Sequence, residues 1–138
     1  VEIAAMSDRL LAAFVDSSAL VALADAGDAT HAGAVAAYQQ LRDAGYRLFT
    51  TEYAIAEAFE LIGLSLGHAC ARDWLVKLRI ARYHLDEADI SRAHHRLVTD
   101  ERLASRTLTD VLNITAMERL GVRDAFAVDP GFPLEAIE

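Results

Sequence analysis

Near its start the chain runs through apolar residues, stops on a carboxylate, passes two small hydroxyls and resumes with apolar residues at helical spacing: Phe14-Val15-Asp16-Ser17-Ser18-Ala19-Leu20-Val21-Ala22-Leu23. An unbroken apolar run from Leu10 to Val15 is the pattern of a short strand buried on both faces. Such a strand, turning straight into a helix, begins an open α/β sheet, in which ligands bind outside the carboxyl ends of the strands. Asp16 stands at that end. The plainer reading of an Asp between strand and helix is an N-cap.

The remaining pattern continues the same alternation. Strands are expected over residues 12–16, 47–51, 79–85 and 124–128, with a short fifth over 134–137. Helices are expected over 17–25, 31–43, 52–64, 68–77 and 107–120, and after Asp86. Thr30 and Asp86 stand where N-caps belong, and Gly45, Gly67 and Gly121 where helices end. The charged stretch 99–106 reads as a loop. Strands alternating with helices predict a parallel sheet with helices on both faces and right-handed crossovers.

Length and charge narrow the classes. A chain of 138 residues predicts one domain over 1–138, with residues 1–10 as an N-terminal extension or cloning remnant. One cysteine, Cys70, excludes an intrachain disulfide and suits a cytoplasmic setting. No uncharged apolar run reaches the ~18 residues of a membrane span. A formal net charge of −8 argues against a protein that coats nucleic acid generally. It does not exclude a nuclease whose acidity is gathered at a metal site. All basic residues but Lys77 are Arg, the side chain suited to bidentate phosphate contacts.

Three further carboxylates stand where the expected sheet would bring them to the edge holding Asp16. Glu57 lies on the helix after the second strand, with Tyr53, Ala54 and Leu61 as its face neighbours; a carboxylate on such a surface needs a partner or water. Asp110 follows Thr107 by three residues, a capping-box spacing. Asn113, one turn on, suits a wet cleft. Asp129 ends the fourth strand in Asp-Pro-Gly-Phe, a routine turn signal. Glu60 and Asp124 are weaker alternatives, on the solvated helix side and at the opposite strand end.

Each acid alone has a structural explanation; four at one rim do not. Two unit charges ~4 Å apart repel by about 4 kcal/mol at an effective dielectric of 20. A cluster therefore implies a divalent cation or raised pKa values. All-oxygen donors favour Mg²⁺, with Mn²⁺ as a substitute. The histidines offer no rival: His94 and His95 are adjacent, and His31, His68 and His84 are isolated, so the i,i+4 pair of a zinc site is missing.

The pieces Phe14-Val15-Asp16-Ser17-Ser18-Ala19-Leu20, Thr50-Thr51-Glu52-Tyr53-Ala54-Ile55-Ala56-Glu57, Leu108-Thr109-Asp110-Val111-Leu112-Asn113 and Asp124-Ala125-Phe126-Ala127-Val128-Asp129-Pro130-Gly131-Phe132, in this order, resemble the PIN-domain family. They are most similar to the VapC-like toxin ribonucleases of bacterial type II toxin–antitoxin pairs. The resemblance implies a three-layer α/β/α PIN-like fold around a central, mainly parallel sheet of four to five strands. It also implies a Mg²⁺-dependent endoribonuclease, usually a homodimer, restrained by a cognate antitoxin protein. Carried over by position, the catalytic and metal-binding set is Asp16, Glu57, Asp110 and Asp129. Ser17, Thr109 and Asn113 are candidate substrate contacts or supports behind the ligands. Arg92, Arg96, Arg102 and Arg106 are candidates to line the RNA approach.

Two other classes compete. One is a catalytically weak or inactive domain of the same fold acting through a protein partner. The other is a phospho-acceptor. A receiver domain wants paired early acids and a late Lys, whereas Lys77 is the only lysine. A haloacid-dehalogenase-like phosphatase wants an Asp at position 18, where this chain has Ser18.

Overall fold

The computed structural model describes residues 11–129 and 131–133. The expected fifth strand over 134–137, the extension 1–10 and Pro130 lie outside the described residues. Four strands form one sheet: β1 (Ala12–Val15), β2 (Arg47–Thr50), β3 (Ala81–Arg82) and β4 (Asp124–Phe126), in the order β3-β2-β1-β4. Every pairing is parallel, with Phe14 opposite Phe49 and Ala125, and Thr50 opposite Arg82. The helices are α1 (Ser17–Ala24), α2 (His31–Asp43), α3 (Glu52–Leu66), α4 (His68–Lys77), α5 (Glu87–Thr99) and α6 (Leu108–Leu120), with a 3₁₀ turn at Glu101–Leu103. This is the α/β architecture the alternation predicts.

β1 is central and buried along its whole length, which is why its sequence is continuously apolar rather than alternating. Phe14 is fully buried, and its ring packs against Phe49 at 5.8 Å and Phe132 at 5.7 Å between centroids. α6 is buried on every side from Val111 to Met117. It begins with a true capping box between Thr107 and Asp110 and ends on Gly121 at φ 69°, a left-handed position that favours glycine.

The expected strand over 79–85 shrinks to Ala81 and Arg82. The reason is its partner: β2 stops at Thr50, because Thr51 caps α3 by accepting from the Ala54 N–H. Past Tyr83, whose N–H reaches the Thr50 carbonyl, the third strand has nothing left to pair with. β4 likewise ends at Phe126. The Asp16 N–H donates to the Phe126 carbonyl at 3.0 Å, and the chain of β1 then leaves the sheet as α1. Thr30 occupies the cap position of α2 but makes no capping bond. Its hydroxyl instead donates to Asp28 at 2.6 Å, in the turn before the helix.

The charged loop expected over 99–106 is tied down by ions. Asp100 is held down to about 2, first by hydrogen bonds from the Arg102 side chain, whose Nη2 stands 2.7 Å from Oδ2. That lowered carboxyl favours the folded state above the ordinary carboxylate range, and its contribution fades as pH falls towards 2.

Candidate active site

A parallel sheet puts the ends of all its strands on one rim, so the residues that follow β1, β2 and β4 emerge together. Asp16 caps α1, accepting from the Ser18 N–H and, at 2.9 Å, from the Ser18 hydroxyl. It is 7% exposed. Burial raises its carboxyl above the usual range; the Ser18 hydrogen bonds oppose this, and the charge of Glu57 adds to it. Glu57, half-buried on α3, accepts a short hydrogen bond from the Ser17 hydroxyl. The partner that Glu57 needs on its apolar face is therefore the residue next to Asp16. Asp16 and Glu57, 41 positions apart, form the acidic nucleus of the site.

Asp129 is joined to this nucleus through Ser18. The Ser18 hydroxyl accepts the N–H groups of Val128 at 3.0 Å and Asp129 at 3.3 Å while donating to Asp16. Ser18 was not singled out by the sequence. A hydroxyl two residues after a capping Asp looks like ordinary helix start, and its second set of partners is 110 and 111 residues away. Replacing it removes three hydrogen bonds at once. Ser18→Ala is expected to lose about 1–3 kcal/mol of stability, measured by urea unfolding; a loss below ~0.5 kcal/mol would show that the bridge does not hold the rim together.

Asp110 comes to the same end of the sheet through two other links. One α6 turn from Asp110, the Asn113 Oδ1 accepts the hydroxyl of Thr51, the cap of α3. Arg106, just before α6, donates to the Gly131 carbonyl at 2.7 Å in the turn after Asp129. The Asp110 carboxylate itself closes the capping box on the Thr107 N–H at 3.4 Å, and that of Asp129 takes the Gly131 N–H at 2.8 Å. Among the described residues, no three His, Cys, Asp or Glu side chains stand close enough to hold a metal ion. The structure thus pairs Asp16 with Glu57 and leaves Asp110 and Asp129 folded back on local backbone.

Asn113 corrects an expectation. It is fully buried rather than at a wet cleft, and its Nδ2 finds no hydrogen-bond partner among the described residues. It links α6 to the start of α3 through Thr51. Thr109 is half-buried, and its side chain makes no hydrogen bond among the described residues. Of the arginines named for an RNA approach, Arg96 pairs with Glu118 at 2.7 Å and Arg102 with Asp100. Glu60 is exposed, and Asp124 lies at the far end of the sheet under the Tyr46 hydroxyl.

The donor chemistry fits a hard divalent cation. Every polar side chain in the nucleus offers oxygen, and Asp16 carries an unfavourable charge that a cation would relieve. Asp16 and Glu57 are held by serine side chains, and Asp110 and Asp129, at the same rim, by backbone. No protein-family model matches the chain, and no curated protein does. Among solved structures it is similar to Mycobacterium tuberculosis VapC20, described as a sarcin–ricin loop cleaving toxin, at 23% identity and a TM-score of 0.74. The match covers 91% of this chain and 95% of that one. The chain has that toxin's PIN-like fold. Likeness at that identity establishes the fold, and leaves the chemistry to the residues at the rim.

Proposed function

We propose that the protein is a VapC-type, Mg²⁺-dependent endoribonuclease, the toxin of a toxin–antitoxin pair. The observation that carries the reading is the Asp16–Glu57 pair at the carboxyl rim of a PIN-like sheet, bridged by Ser17 and joined through Ser18 to Asp129. Asp16 and Glu57 would hold the ion, and Asp110 and Asp129 would complete its shell by turning out of their caps. A bound Mg²⁺ supplies a water of lowered pKa and charge neutralisation at the scissile phosphate.

The protein's own residues do the positioning. Ser17 orients Glu57, Ser18 fixes the approach of residues 128–129 to Asp16, and Arg106 steadies the turn that carries Asp129. Burial around Asp16 lowers the local dielectric, which strengthens the hold of its charge on a cation. RNA as substrate, an antitoxin partner, a homodimer and a cytoplasmic setting belong to this reading. No helix among the described residues is long and apolar enough to cross a membrane.

The direct test is RNA cleavage by purified, partner-free protein with Mg²⁺ and with a chelator. Cleavage that needs the metal, together with a thermal midpoint raised by Mg²⁺ as ligand linkage requires, is the expected result. Metal binding without cleavage of any RNA would favour the inactive, partner-binding alternative. Neither binding nor cleavage would defeat both the metal and the nuclease.

A further inference from the structure

α5 and α6 enclose a groove of about 440 Å³ lined by Arg92, His95, Arg96, Thr99, Glu118 and Arg119. Beneath it lies Asp89, 4% exposed, whose Oδ2 accepts no hydrogen bond among the described residues. Two guanidinium groups straddle that carboxylate, Arg92 at 3.5 Å from Oδ1 and Arg119 at 3.6 Å from Oδ2. Charge-assisted hydrogen bonds are shorter, about 2.7–2.9 Å. Asp89 therefore anchors both cations by charge without occupying their N–H groups. Neither makes a hydrogen bond among the described residues, and each side chain is 52% exposed. Glu118, the one acid in the lining, is neutralised by Arg96 at 2.7 Å.

We propose that this groove binds the phosphate backbone of RNA outside the cutting site; the inference rests on the ribonuclease reading above. A chain of charge −8 repels RNA at long range, but charges farther than about 8 Å are screened at physiological salt, so short-range cationic contacts decide binding. Arg92 on α5 and Arg119 on α6 stand on either side of Asp89, with His95 one turn further along α5, a spaced set of groups that suits a polymer with repeating charge better than a lone anion. α6 joins groove to rim, with Asp110 in its first turn and Arg119 in its last. Those nine positions span roughly 13 Å of helix, within reach of one RNA strand.

The test is binding of a single-stranded RNA oligonucleotide to the full chain in chelator, over about 50–200 mM salt. Arg92→Gln with Arg119→Gln is expected to weaken binding and to make the log–log salt dependence shallower by about 1.4, the share of two single-strand phosphates. Because that change strands the Asp89 charge, the variant with Asp89→Asn added serves if the first does not fold. A slope equal to the parent's overturns the proposal. So does intact RNA binding with loss of polyglutamate binding, which would assign the groove to an acidic protein. Metal-dependent cleavage of a dinucleotide too short to reach the groove reads the rim separately. A parent that binds RNA through the arginines but never cuts keeps the groove and removes the nuclease, while a parent that cuts with an unchanged variant slope does the reverse.

Discussion

Asp16→Asn is expected to lower RNA cleavage by at least about a hundred-fold while making the protein more stable at neutral pH. Loss of groups that merely orient metal ligands commonly costs 10–100-fold, so with Asp16 in the ligand role proposed above, loss of its charge is expected to reach or pass the upper end. The stability change has the opposite sign for a stated reason. Burial raises the Asp16 carboxyl above its ordinary 3.8, so the folded state holds that proton more tightly than the unfolded chain. Stability from this group then falls as pH rises from 3.8 through the raised value, and stays reduced above it. Asn carries no charge to desolvate and still caps a helix well. The variant's thermal midpoint should therefore exceed the parent's at pH 7, with the gap closing on acidification. An active variant, or one less stable than the parent at neutral pH, would mean that Asp16 is a structural cap and no more. Added Mg²⁺ should raise the parent's midpoint and leave the variant's nearly unchanged.

Phe14→Ala is expected to give the largest loss of stability, about 3–5 kcal/mol for a buried Phe. Against a typical total of 5–15 kcal/mol, that leaves a marginal fold. Phe14 is in the middle of β1, with Phe49 on one neighbouring strand and Phe132 beyond the Asp129 turn. The cavity would thus loosen the turn that carries Asp129 as well as the sheet. Urea unfolding gives the first quantity. Faster hydrogen exchange at Val128 and Asp129 than elsewhere at the rim would show the second, and a loss under about 1.5 kcal/mol would mean the rings close over the gap.

How legible the site was depends on the kind of contact each residue makes. Asp16 and Asp110 were visible because capping is local: a carboxylate beside a helix start is read within three residues. Asn113 misled because one polar residue beside an acid looks the same in a cleft and in a core; its partner, Thr51, is 62 positions away. Ser18 gives no local signal for the same reason, since its bonds to residues 128 and 129 cross nearly the whole chain. The third strand is shorter than its own residues predict because its length is set by where β2 ends. That Arg102 and Arg96 are engaged by Asp100 and Glu118 was likewise not legible locally for Arg96, whose partner lies 22 positions away.

By itself the sequence determined the alternation of strands and helices, the parallel sheet that follows from it, and the acids standing at strand and helix ends. Those features arise from period, capping and chain stops, which act over a few residues. Only the tertiary structure decided which acids meet. Asp16 and Glu57 share the rim's nucleus because the Ser17 hydroxyl reaches Glu57 from 40 positions away, whereas the carboxylates of Asp110 and Asp129 bond to backbone three and two residues away. The arginine-flanked groove over Asp89 is likewise a product of helix packing, for its two guanidinium groups are 27 positions apart and meet only when α5 lies against α6.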